Sequence, residues 1–334
     1  MAFKEYNAHD NICAFFDSNF RNRYQVHRKA YGIETAFEIS YVHGHGGRVV
    51  AFNAEYDALP NIGHACGHNL IATSSIASFI ATCEAMTALY SDKPGFTVRL
   101  LGTPAEEGGG GKVQLINAGA YKDVDACLMV HPFPLLTGAT AGPETVGSSM
   151  CTGMYLAVAM VRVTYTGKPA HAAAAPWEGV NALDAIVSAY VNISLLRQQI
   201  RPSERIHGVV ANGGDRPNVI PHSTAVDYCI RSETIESLRP LIEKVRKCFE
   251  AAATATGCTM DFETSVFVPS KPDFVSNKNS RGAVYTDLKD NNPMCESYTS
   301  AMNVMGHNVI LDAAGHKGVL SGGSTDMGEL ILSA

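Results

Sequence analysis

The chain has 334 residues, of which 46% are hydrophobic and 17% charged, with a formal charge of -6 and nine cysteines. That length accommodates two domains of ordinary size, each with its own core, and that composition excludes disordered and fibrous classes. The acidic balance and the lack of a basic stripe exclude a nucleic-acid footprint, because the densest basic run, 239–247, reads as the solvated face of a helix.

The cysteines are scattered, odd in number and without a CxxC pair, which suits a reducing compartment better than a disulfide framework. The amino terminus is polar and no apolar run is read as long enough for a membrane span, so the expected setting is cytoplasmic with no membrane partner. Small-molecule chemistry is the default.

In chain order, Ile12, Phe15, Phe16 and Phe20 fall at helical spacing over 5–20, and a strand follows over 35–42. His43 and His45 then sit in a glycine-rich turn and read as loop residues. The stretch 49–70, VVAFNAEYDALPNIGHACGHNL, opens as a buried strand, carries Glu55 and Asp57 at its end, and sets His64, Cys66 and His68 on alternate positions. A helix over 71–90, a turn at 93–95 and a strand over 96–101 lead to TPAEE and four glycines. A helix over 113–120 and a strand over 126–130 end in His131-Pro132.

Three successive strands thus finish in candidate ligands or bases, and in a doubly wound sheet with right-handed crossovers those ends lie along one edge. Thiolate, imidazole and carboxylate groups are the material of a metal site, although Cys66 as a packed small hydrophobe beside loop histidines fits that local pattern equally. For the paired acids, strand alternation assigns Glu107 to a metal and Glu106 to proton transfer. A metal ion can lower the pKa of water toward neutrality, and a neighbouring carboxylate can relay the proton to a leaving amine.

From 156 the pattern changes to strand 156–165, helix 179–199, strands 206–211 and 224–231, helix 235–256 and strand 259–267. This β-α-β-β-α-β order is ferredoxin-like and forms a unit inserted into the first domain. The expected division is 1–155 and 269–334 for a discontinuous α/β catalytic domain, with 156–268 as the insertion.

EYDALPNIGHACGHNL, GTPAEEGGGGK, His131-Pro132, YTGKPAHAAAAPWEGVNALDA, NVIPH with Arg231 downstream, and SGGSTDMGEL together resemble the M20 family of metallopeptidases and amidohydrolases. The similarity covers nearly the whole chain and is greatest to the aminoacylase-1-like 2, or M20 domain-containing protein 2, group. It implies a zinc-peptidase-like doubly wound catalytic domain and an inserted dimerisation or lid domain, with a homodimer formed through the insertion. It also implies two divalent ions, zinc on grounds of thiolate softness or manganese, held by Cys66, His68, Glu107 and His131. Asp57 corresponds to the acid that orients a ligand, Glu106 to the general base, His171 to a histidine acting on the partner's site, and Asn218 and Arg231 to residues holding the substrate carboxylate.

The implied reaction is hydrolysis of a dipeptide or N-acyl amino acid, with oxyanion stabilisation by metal and His171. A non-catalytic homologue serving as a binding or assembly module is the competing class. A cysteine hydrolase using Cys66 with His68 would leave the paired glutamates unexplained. The family closes its site with a histidine beyond the STDMG segment, whereas here only His307 and His316 follow the insertion, both before it. The sequence-based expectation is therefore a catalytically impaired chain, or part of a longer active protein. His222 departs from the motif and receives no role.

Overall fold

The computed structural model describes residues 2–90, 95–132, 149–150, 155–264, 285–307, 309–311 and 323–333. It divides into two compact units, Met1–Ser149 with Ser297–Ile310 and Glu329–Ala334, and Met150–Glu296 with Leu311–Gly328.

In the first unit, helix α1 (Tyr6–Asn19) precedes β1 (Gln25–Arg28), β2 (Phe37–His43) and β3 (Val49–Ala54). Helix α2 (His68–Leu89), β4 (Phe96–Gly102), α3 (Gly111–Asn117), β5 (Ala126–Leu128) and the short β6 (Ser149–Met150) follow. The sheet order is β1-β2-β4-β3-β5, with β3, β4 and β5 parallel and the β1 and β2 pairings antiparallel. The sheet is thus mixed, with the doubly wound part confined to three strands. The strand β1, whose sequence QVHR is short and polar, has no signal in the hydrophobic pattern.

Alternation along β4 explains the layers. Phe96, Val98 and Leu100 join Phe16 of α1 and Phe79 of α2 in one core. Arg99, on the other side, reaches Asp123 just past α3 at 2.6 and 2.7 Å. The crossover through α2 goes from β3 to β4 on one side of β3, and that through α3 goes from β4 to β5 on the other. Connections diverging around one strand create a crevice at the carboxyl ends, the place where open α/β sheets bind ligands.

Contrary to the sequence reading, His68–Leu89 is long and apolar enough to cross a membrane by length and composition alone. Here it buries Ile71, Ala72, Phe79 and Cys83 and begins with a buried histidine.

The second unit carries β7 (Ala157–Thr166), α4 (Ala182–Leu196), β8 (Arg205–Asn212), β9 (Ser223–Ser232), α5 (Ile235–Thr256) and β10 (Thr259–Thr264). The antiparallel order β10-β7-β9-β8 is the expected ferredoxin-like arrangement. Helix α5 presents Leu238, Leu241, Ile242, Val245 and Phe249 to the core and starts at a capping box between Thr234 and Ser237.

Part of the return segment belongs to this unit rather than the first. Val158 and Tyr285 exchange backbone hydrogen bonds of 2.9 and 3.1 Å, Asp287 accepts from the Ile235 amide at 2.9 Å, and Leu156 N–H reaches Gly323. Residues 93–94, the end of the expected strand at 265–267, and His316 lie outside the described residues.

Candidate active site

The end of β3 sets the floor. Glu55 and Asp57, two residues apart in extended chain, share one side and are 1% exposed each. Asp57 Oδ1 lies 2.8 Å from His68 Nδ1, and Asp57 Oδ2 accepts the Glu107 amide at 2.9 Å. Two of the three parallel strand ends are joined by this single carboxylate.

An ionised Asp57 accepts a hydrogen bond from His68 Nδ1–H, which fixes that tautomer and leaves Nε2 as the nitrogen for a ligand. Around Nε2 stand Glu55 Oε2 at 3.5 Å, Glu106 Oε2 at 3.9 Å and Glu107 Oε1 at 3.9 Å. On the other flank, Cys66 Sγ lies 3.6 Å from His131 Nε2, while His131 Nδ1 is 2.7 Å from the Pro132 carbonyl. The His68 and His131 rings meet edge to face at 5.8 Å.

Local backbone makes the approach close. A side chain at Gly67, between the two ligand candidates, would run into Pro132 behind His131, and Gly67 itself has φ +83. Ala105, just before the paired acids, is fully buried in the left-handed region at φ 62, a conformation that an L-residue adopts at a cost.

Electrostatics follow from four carboxylates, Glu55, Asp57, Glu106 and Glu107, around His68 and from a buried lysine, Lys112, which donates to Glu55. Burial pushes the Cys66 thiol up to about 12, helped by Glu107 and Glu106. Burial works to lower the His68 pKa, but the Asp57 hydrogen bond and the charges of Glu55, Asp57 and Glu107 outweigh it and raise the value. Asp57 shows the reverse balance: burial raises its pKa, yet His68, the Glu107 amide and the Lys112 charge hold it below the usual carboxylate range.

These donors fit a metal. His68 Nε2 and Glu107 Oε1 are buried polar atoms with no hydrogen-bond partner among the described residues, a costly state that a cation relieves. Two donor sets converge, Cys66–His68–His131 and His68–Glu106–Glu107, with ligand atoms inside 4.8 Å of one another. A neutral thiol with His131 rather than His68 as its neighbour is a poor nucleophile, which weighs against a cysteine hydrolase.

The sequence argument separated Glu106 from Glu107 by strand alternation. Both in fact lie in a turn beyond the end of β4, where period-two alternation no longer applies, and both stand at the same distance from His68 Nε2. His64 and His307 are exposed, and His43 stacks on Phe96.

In the second unit, pairing of β7 with β9 continues past the strands. Gly167 N–H donates to His222, Ile220 N–H to Ala170 and Ala172 N–H to Asn218, so His171 and Asn218 are neighbours. His171 Nδ1 accepts the amides of Ala173 and Ala174 at 3.2 and 3.1 Å, which places the proton of a neutral ring on Nε2, as a donor.

Arg231 sits at the opposite end of the same sheet, paired across to Val158. From Ser223 to Arg231 the extended strand covers about 26 Å at roughly 3.3 Å per residue. Asn218 and Arg231 of one chain therefore do not meet on one carboxylate. Arg231 donates to Ser324 Oγ at 2.8 Å, and Ser324 in turn donates to the Leu156 carbonyl.

The sequence reading gave Glu55 no role of its own and missed Lys112 and Ser324. Only the i, i+2 spacing of Glu55 and Asp57 at a strand end hints that both face the site.

The family model for the peptidase dimerisation domain matches residues 157–256. The chain is 38% identical to the Xaa-Arg dipeptidase of Mus musculus, over 99% of this chain and 70% of that protein. To the Xaa-Arg dipeptidase of Homo sapiens it is 39% identical, over 79% of this chain and 59% of that protein. Among solved structures, the Bacillus subtilis YXEP protein, described as a dinuclear metal-binding peptidase, shares the fold at a TM-score of 0.65 and 19% identity, over 98% of this chain and 80% of that one. With its inserted domain matched and a 38% identical relative aligned along nearly its whole length, the chain belongs to the M20 family of peptidases and amidohydrolases, which hydrolyse amide bonds.

Proposed function

We propose that the chain acts as a metallo-dipeptidase of the aminoacylase-1-like 2, or M20 domain-containing protein 2, branch, and that its preferred substrates are dipeptides ending in arginine. The observation that carries the chemistry is the convergence of His68 Nε2 and Glu107 Oε1, buried and without a hydrogen-bond partner among the described residues, beside Cys66, His131 and Glu106. The arginine preference rests on two relatives named as Xaa-Arg dipeptidases. Two divalent ions, zinc in preference to manganese given the thiol donor, would be held by Cys66, His68, Glu107 and His131.

When bound, such ions supply Lewis acidity and a water acidified toward neutrality. The protein's part is positional. Asp57 fixes the His68 ring through Nδ1, and its second oxygen fixes the Glu107 backbone. Glu106, 7% exposed beside the same nitrogen, takes the proton from water and passes it to the leaving amine.

The homodimer uses the outer edge of β8 and the outward face of α4. β8 ends its sheet, with Val209 and Val210 exposed, and Val187, Tyr190, Val191 and Leu195 form an exposed apolar stripe at helical spacing. Both elements fall inside the matched dimerisation domain. Their occupant is a second copy of the chain, the commonest symmetric arrangement. His171 and Asn218, neighbours at one end of the sheet, then act together on the partner's substrate. The free cysteines among the described residues support a reducing, cytoplasmic setting.

Two experiments test the reading. Purified protein offered Ala-Arg, Ala-Lys, Ala-Glu, Ala-Ala and N-acetyl amino acids should cleave Ala-Arg fastest, and faster cleavage of Ala-Glu or Ala-Ala sinks the arginine preference. Mixing inactive His171→Ala with inactive Glu106→Ala should restore about a quarter of parental activity, because half of the randomly mixed dimers carry one intact site. No recovery, with mixed dimers shown to form, means that His171 does not act across the dimer.

A further inference from the structure

Glu106 and Glu107 ride on a segment that should be loose, since 108–111 are four consecutive glycines. Glycine is required there, as a Cβ at Gly111 would collide with the Pro104 carbonyl. Within the loop, Gly108 N–H donates to the Glu106 carbonyl and Gly109 N–H to that of Ala105.

Two acids of one strand end hold this segment at its front and its rear. Asp57 accepts the Glu107 amide at 2.9 Å, and Glu55 accepts from Lys112 Nζ, directly after the last glycine. Lys112 is fully buried and Glu55 is 1% exposed, so neither charge is met by bulk water. The second Glu55 oxygen lies 3.5 Å from His68 Nε2.

We propose that Lys112 is a positioning residue whose buried pairing with Glu55 fixes the rear of the glycine loop and thereby holds Glu106 and Glu107 at His68. The turnover consequence rests on the dipeptidase reading above, whereas the ordering of the loop does not. A lysine kept only to balance charge would leave the loop equally ordered once the pair is made neutral.

The test uses the full chain, Lys112→Met, and the neutral pair Lys112→Met with Glu55→Gln, which avoids an uncompensated buried charge if the single variant fails to fold. In chelator-treated protein, amide exchange over 106–111 should quicken on the order of tenfold in both variants while the central strands keep parental protection. For Ala-Arg, kcat should fall on the order of a hundredfold with KM within about twofold, the signature of a lost transition-state arrangement. Parental loop exchange in the folded neutral pair overturns the proposal, and so does parental kcat. If the parent itself cleaves no amide, the dipeptidase reading fails and loop exchange alone decides the role of Lys112.

Discussion

Replacing Glu106 with alanine should lower kcat by about 10²–10⁴ while leaving metal per chain and melting temperature at parental values. Glu106 shares its distance to His68 Nε2 with Glu107, so geometry alone gives the two acids equal claims on a metal. The difference lies in their other atoms. Glu107 has a buried oxygen with no hydrogen-bond partner among the described residues and a backbone amide already bonded to Asp57, marks of a residue fixed in place to meet a cation. A group that moves a proton is needed in the transition state and contributes little to resting ligation. Metal analysis beside steady-state kinetics checks this, and parallel loss of metal and activity would assign Glu106 to ligation instead.

His68→Ala should remove both. The ring joins the two donor sets, so its loss should take metal content well below parental and activity to background. Asp57 would also lose the partner that holds it ionised in a 1% exposed position, at a cost of about 1–3 kcal/mol. Thermal unfolding with and without chelator separates these effects. The parent should melt lower once stripped, since a ligand at a hundred times its Kd contributes about 2.7 kcal/mol, whereas the variant should melt at the same temperature either way. A variant that still responds to chelator would place the main metal contact elsewhere.

The site was legible in sequence to the extent that its residues end apolar runs. Asp57, Glu106, Glu107 and His131 each follow a strand whose hydrophobic pattern is plain, and parallel strands of one sheet bring such ends together whatever the helices between them do. The Lys112–Glu55 pair joins positions 57 residues apart, and no local pattern announces it. Asn218 and Arg231 are paired through the family resemblance alone; Asn218 precedes the strand Ser223–Ser232 and Arg231 lies near its far end, so the strand separates them. The β1 strand escaped for the opposite reason: its four residues are mostly exposed, and it exists because β2 offers an edge.

The backbone at Ala105 sets thermal robustness against catalytic geometry. A glycine would relieve the left-handed conformation, by about 1 kcal/mol or more, yet would add freedom to the unfolded chain and extend the run of flexible residues that carries both acids. An effort to harden this enzyme would be drawn to position 105 as a strained alanine. Success there would loosen the turn that carries Glu106 and Glu107, so with the roles proposed for these acids heat tolerance would trade against turnover through a single methyl group.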